Sequence, residues 1–203
     1  MTKPTDPTVP DVTASILAAA EACFERFGIT KTTMADVARA ANMSRATIYR
    51  YFPDREALVM ASVVRRARMN MDSARDRIRS RESFAERIVE GIIDNIRRGL
   101  RDPMVHLLVS PAEAALANTL LATSGKAVEL TLELWEPILH DAQEAGDLKP
   151  DVDLNLLCEW ISEIEMNYVS ALGDDMVALE RLREKLHAFF VPALLARQSA
   201  RRS

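Results

Sequence analysis

Apolar and polar positions alternate with a helical period along almost the whole chain. Apolar residues recur three and four apart, and no segment shows the sustained two-residue alternation of a strand. Ile16, Leu17, Ala20, Phe24 and Phe27 share one stripe of a first helix over about 12–27, with Gly28 where a helix-ending residue belongs. "TMAD" has the form of a capping box and opens a second helix, Met34–Ala40, at Thr33. A turn, "ANM", leads to Ser44 as N-cap of a third helix, Arg45–Phe52, which Pro53 ends. Asn42 is the turn residue best able to take a positive φ.

Beyond Asp54 the pattern predicts a long helix from about Arg55 into the seventies, then one carrying Phe84, Ile88, Ile92 and Ile96. A short helix runs from Pro103 through Val109, and "SPAE" opens another near 112–122. The helix over about 126–145 is apolar on more than one face, which marks a central element, and Pro137 is expected to kink it. The last two helices carry narrow seams, Leu154, Leu157, Ile161, Ile164, Tyr168 and Leu179, Leu182, Leu186, Phe189, joined by "LGDD". Such a hairpin is either internal core or half of a four-helix interface between two copies; the dimer interface is the preferred reading.

Composition narrows the class. At 203 residues, 48% apolar and 28% charged, the chain has the profile of a soluble globular protein. No apolar run approaches the ~20 residues that span a bilayer, so no membrane partner is expected, and the start "MTKPTDPTVPD" has no secretory h-region. Residues 1–10 and 198–203 read as disordered tails. Cys23 and Cys158 lie in helical patterns and read as small buried hydrophobes of a reducing, cytoplasmic compartment. The net charge of −4 divides into +3 over residues 11–68 and −7 over 69–203, which suits a polyanion-binding head on an acidic body.

The stretch "ANMSRATIYRYFPDREAL" shows what the head binds. On a helical wheel Ile48 and Phe52 face inward. Ala46, Thr47 and Arg50 lie opposite, with Tyr49 and Tyr51 on the flanks. Small side chains let a helix approach base edges, Ala and Thr touch a thymine methyl, Arg pairs with guanine, and phenols reach phosphates on either wall. Two short helices joined by a tight turn have the dimensions of a helix-turn-helix, whose partner is double-stranded DNA.

These residues carry a resemblance. "ILAAAEACFERFGITKTTMADVARAANMSRATIYRYFPDREALV" resembles the DNA-binding domain of the TetR family of bacterial repressors: the Phe-x-x-x-Gly helix end, the Thr-Thr before the second helix, "VA-x-x-A", the serine before the recognition helix and "IYRYF". The resemblance implies an all-α fold of about nine helices, with a helix-turn-helix domain over 11–57 and an effector-binding and dimerisation domain over 58–197. It implies that Thr33 and the start of the second helix hold a phosphate, that Ser44 caps the recognition helix, and that Arg45, Ala46 and Thr47 lie at base edges. It also implies that Tyr49 and Tyr51 grip the backbone, with Arg50 as the competing base reader, and that Arg55, in a place usually taken by lysine, binds phosphate. Asn42 stands where the family usually has glycine, Thr13 where it has arginine, and Ala35 has no polar reach.

The implied function is a ligand-responsive regulator, a repressor, that binds a palindromic operator as a homodimer and is released or modulated by a small apolar or amphipathic effector. Met60, Met104, His106, Trp135 and Trp160 are the candidate effector contacts, each with plain packing as its bland alternative. No cofactor is expected, and the histidines lack metal-ligand spacing. An effector-independent DNA-binding protein is the alternative; an enzyme is a weaker one, because no nucleophile elbow, phosphate loop or carboxylate pair appears.

Overall fold

The computed structural model describes residues 9–110, 113–117, 119, 124–171 and 176–196. Every regular element among the described residues is helical, apart from one antiparallel bridge between Leu148 and Leu195. The contacts divide the chain into two compact units.

The first unit holds the described residues within Met1–Ala67 and Pro103–Leu120. Where the sequence suggested a cut after residue 57, this grouping adds most of the fourth helix and the segment from Pro103. Helix α1 (Val9–Phe27) begins inside the expected tail. It buries Ile16, Ala20 and Phe24 completely, and Gly28 ends it at φ 82°, its N–H donating to Phe24 O at 2.9 Å. Helices α2 (Met34–Ala40) and α3 (Arg45–Tyr51) add Val37, Ala38 and Ile48 to this core. Helix α4 (Arg55–Met69) adds Leu58 and Val59, and the short α7 (Pro103–Leu108) packs on α1 through Met104 and Leu108. The carboxylate of Glu21 on α1 is 7% exposed and receives Arg65 at 2.8 Å and Arg66 at 3.3 Å, both from α4. Either cation left without it would be costly, so the trio pins α4 to α1.

The fourth helix does not continue into the seventies. A continuous helix would set Asn70 on the stripe of Val59 and Val63, so the chain breaks there. A new helix, α5 (Met71–Arg79), turns Met71, Ala74 and Ile78 inward. α8 (Ala114–Ala117) is the described portion of the helix expected near 112–122.

The second unit holds the described residues within Arg68–Asp102 and Leu121–Ser203. Its axis is α6 (Phe84–Arg101), opened by a Ser83–Glu86 capping box and burying Ile88, Ile92, Ile93 and Ile96 completely. α9 (Lys126–Glu144) brings Trp135, Ile138 and Leu139 into the same core, and Pro137 lies within it, exposed. α10 (Leu154–Ala171) packs on α6 and α9, and α11 (Met176–Lys185) packs on α6. Arg183 clamps α11 to Glu90 of α6 through two hydrogen bonds, 2.6 and 3.1 Å.

After α11 the chain makes a π-helical turn, Leu186–Phe190, before α12 (Val191–Leu194). Pro192 has no N–H, and its ring crowds the carbonyl four residues back, so the ladder widens and Val191 N–H donates to Leu186 O. Leu186, Phe190, Val191 and Leu194 stay buried.

The two seams are covered within the chain, which corrects their expected place in a dimer interface. Leu157, Ile161, Leu179, Leu182 and Leu186 are buried in the core of a single chain, with Leu154, Ile164 and Tyr168 packed against it. Their apolar partners are α6 and α9, so this face is not left for a second copy. Of the nine seam residues only Phe189, 78% exposed, points outward. The "LGDD" turn lies outside the described residues, as do residues 198–203 and the tail before Val9.

Candidate nucleic-acid interface

The turn between α2 and α3 is built by Asn42 at φ 53°. Met43 N–H donates back to Ala38 O at 2.9 Å, which folds α3 against the end of α2. Ser44 Oγ accepts the N–H of Thr47 at 3.0 Å, and the two hydroxyls lie 2.9 Å apart. Ile48 is fully buried on the inner side of α3. The helix therefore turns a fixed face outward: Arg45, Ala46, Tyr49 and Arg50 are exposed, with Thr47 and Tyr51 half-buried beside them.

The two arginines differ. Arg45 has no hydrogen bond or ion pair to any described residue and stands in the first turn. The Arg50 guanidinium lies over the Tyr51 ring, 5.2 Å from its centroid. Arg45 is thus the unengaged fork, and Arg50 is held against a phenol on the flank.

Two expected phosphate contacts change character. Thr33 donates both its N–H (3.1 Å) and its hydroxyl (2.6 Å) to Asp36, which returns its own N–H to Thr33 Oγ1. These bonds, the hydroxyl one foremost, hold the Asp36 carboxyl below its ordinary range. Thr33 has no hydrogen left for a phosphate; it is a cap, and Asp36 occupies the anion position at the start of α2. Arg55 turns inward, donating from Nη1 to Thr30 O at 2.6 Å, while the N–H and hydroxyl of Thr30 donate to the buried Glu113. Arg55 braces the α1–α2 loop because its long side chain reaches the Thr30 carbonyl in the middle of that loop. The sequence reading missed Lys31, an exposed cation of this loop with no partner among the described residues. Its place two residues before the cap was the available signal.

The candidate effector contacts scatter. Met104 is buried in the first unit, Met60 is half-buried and His106 is exposed. In the second unit Trp135 is fully buried, whereas Trp160 is 42% exposed and stacks on Phe190, centroids 4.3 Å apart. His106 and Trp160 face outward, so the reading of them as pocket lining is corrected. What the sequence reading passed over is Glu165. Set one turn after Ile161 on the inner side of α10, it accepts a hydrogen bond from Asn95 Nδ2 at 3.0 Å. Burial raises its carboxyl to about 8. The signal was its spacing from Cys158 and Ile161, not its neighbour Glu163, which is exposed. Among the described residues no three His, Cys, Asp or Glu gather as metal ligands, and no helix is long and apolar enough to cross a membrane.

An outward recognition helix on a three-helix core defines a helix-turn-helix DNA-binding protein. Residues 16–61 match the model for bacterial regulatory proteins of the tetR family. An uncharacterised HTH-type transcriptional regulator of Mycobacterium bovis is 29% identical over 147 residues, covering 68% of this chain and 70% of that protein. The HTH-type regulator AlkX of Mycobacterium tuberculosis is 29% identical over 140 residues, 68% of this chain and 65% of its own. Among solved structures, the TetR family repressor AlkX from Dietzia sp., implicated in biodegradation of n-alkanes, superposes with a TM-score of 0.68 at 23% identity, over 90% of this chain and 96% of that one. The regulator FadR from Bacillus subtilis in complex with stearoyl-CoA does so with a TM-score of 0.58 at 16% identity, over 86% and 97%. The two structures bear on the fold alone. Residues 16–61 thus form a helix-turn-helix DNA-binding domain of the tetR-family type.

Proposed function

We propose that the protein is a repressor that binds an inverted-repeat operator as a homodimer in the cytoplasm and is released by a small apolar or amphipathic effector held in the second unit. The observation that carries this reading is the second unit's apolar core, into which α6, α9 and α10 bring a carboxyl, an amide and an indole. A unit serving only to join two DNA-binding heads has no need of buried polar groups, which cost stability unless satisfied. The relatives point the same way, one structural neighbour being implicated in n-alkane biodegradation and another holding a stearoyl thioester.

The dimer is assigned to the outward side of the last helices. Leu156 (63% exposed) and Trp160 lie one turn apart on α10, and Phe189 projects from the π turn next to Phe190, on which Trp160 stacks. Together they form an apolar patch of the kind that pairs.

A gel shift with the DNA flanking the protein's own gene, with and without medium-chain apolar compounds, tests the reading. Binding is expected to weaken steeply with salt, since the grip is mostly on phosphate, and to be lost on adding an active compound. A complex that no apolar compound alters would leave an effector-independent DNA-binding protein.

A further inference from the structure

In the α1–α2 loop Lys31 sits between two residues that are tied down. Thr30, before it, uses every polar group it has. Its N–H and its hydroxyl both donate to Glu113 Oε1, at 2.7 and 2.5 Å, and its carbonyl accepts from Arg55 Nη1 at 2.6 Å. Thr32, after it, is 1% exposed; its hydroxyl donates to Gly28 O at 2.7 Å and its N–H lies 3.2 Å from both Gly28 O and Ile29 O. Ile29 is completely buried. Lys31 itself is exposed and has no partner among the described residues. Fixing its backbone narrows the space its ammonium group can sweep, which lowers the entropy cost of a contact made there.

Glu113 is the remote part of this frame. Its carboxylate belongs to a residue 7% exposed, 83 positions along the chain from Thr30. Its own backbone is held at both ends, the N–H donating to Ser110 O at 3.0 Å and the carbonyl accepting from Ala117 N–H at 2.9 Å. Burying a carboxylate is costly unless it is satisfied, and an apolar side chain would pack here without that cost. What an apolar side chain would not do is orient Thr30 through two donors at once.

The first helix of a helix-turn-helix crosses the sugar-phosphate backbone. Here that helix is α2, and Lys31 stands two residues ahead of its cap, Thr33. Thr33 gives its hydrogens to Asp36, and Arg55 is turned to Thr30. The Asp36 carboxylate itself repels phosphate. Of the cation and donors around the start of α2 that the sequence offers, Lys31 is the one left unengaged.

We infer that Lys31 grips a phosphate of the DNA backbone and that Glu113 is a positioning residue for that contact, acting through Thr30; this rests on the helix-turn-helix reading of residues 16–61.

The test is fluorescence anisotropy of the full chain with the duplex that wild type selects from a random pool, over about 50 to 200 mM salt. Simple charge predicts that removing a carboxylate from the head strengthens binding to a polyanion. Positioning predicts the reverse. Glu113→Ala and Lys31→Ala should each weaken binding roughly fivefold per head and lower the salt slope by about one per head. Glu113→Gln keeps a carbonyl acceptor for both Thr30 donors and should restore binding to within about twofold of wild type. In a Lys31→Ala background, Glu113→Ala should add less than about twofold, because the two act on one contact. Should Glu113→Ala fail to fold, Thr30→Val removes one of the two bonds and should show part of the loss, again only while Lys31 is present. Wild-type affinity or tighter in Glu113→Ala, or an equal loss with and without Lys31, overturns the positioning role; wild-type affinity and slope in Lys31→Ala removes the phosphate contact and the inference with it. Each of these outcomes leaves the helix-turn-helix reading standing. If wild type enriches no duplex from the pool, that reading fails and the inference falls with it.

Discussion

Arg45 and Arg50 sit on one short helix with the same chemistry, yet only Arg45 has its guanidinium unengaged; Arg50 lies over Tyr51. A guanidinium free in the first turn can pair edge-on with guanine O6 and N7. Arg45→Ala should therefore cost roughly 1–3 kcal/mol at one guanine in each half-site and relax the preference there, measured by selecting bound sequences from a random pool. Arg50→Ala should weaken binding about equally across sequences; loss of a base preference with Arg50 instead would reverse the assignment. Glu165 gives a prediction of the opposite kind, about stability. Its carboxyl titrates at about 8 in the folded protein against an ordinary value of 4.5, so the folded state keeps a proton that the unfolded chain releases. That contribution is complete below about 4.5 and is lost as pH rises toward 8. Glu165→Gln retains an acceptor for Asn95 and cannot ionise. The variant should melt close to wild type at pH 5 and roughly 3–6 °C above it at pH 8.5. A constant difference across that range would show that the carboxyl does not titrate there.

At the level of elements, the helix boundaries that follow from local chemistry were legible in the sequence. Gly28, Thr33, Asn42, Ser44 and Pro53 each act on backbone within a few residues of themselves, and α2 lies where they set it. The break at Asn70 and the π turn before Pro192 were not, because each depends on which stripe of the helix finds a core. The same is true of the seams on α10 and α11: a three-four spacing marks an apolar face but does not say whose surface covers it. Arg55 and Thr33 were misread for a related reason, their partners Thr30 and Asp36 being visible only once the loop is folded. Gly91 shows how strongly a distant element can rule a position. A Cβ there would come within 2.9 Å of Trp135 Cζ2 and closer still to Cη2, with Ile78 Cγ1 at 3.1 Å. In an exposed helix Gly→Ala gains up to about 1 kcal/mol. Here Gly91→Ala should instead destabilise by roughly 1–3 kcal/mol, because the fully buried indole has no room to retreat. Chemical denaturation decides the sign.

For the whole molecule, the proposed dimer raises the question of how two copies would meet. The core seam is already covered within one chain, so charges placed at Ile161 or Leu182 would unfold the second unit rather than separate a pair of subunits. Leu156→Asp combined with Phe189→Asp acts on the outer patch. It should give a folded monomer by light scattering, with unchanged helicity and operator affinity at least tenfold lower, since one head then carries the phosphate contacts of two. A variant that keeps the mass of a dimer would place the interface on another face. A two-fold pair, as proposed, would require an inverted repeat in the DNA, and the guanine assigned to Arg45 should then appear once in each half.

The two cysteines bear on how such a regulator can be watched at work. Cys23 and Cys158 are both buried, and burial raises both thiols, the second to about 12. At neutral pH only about one Cys158 in 10⁵ is the reactive thiolate. Maleimides and similar reagents should leave the native chain almost untouched. A single cysteine introduced at Lys31, exposed in the loop before α2, would then take a spin label or dye without removal of either native thiol. In a two-fold dimer every molecule would carry a matched pair of labels, and the distance between them would report directly on how far apart the heads stand with and without effector.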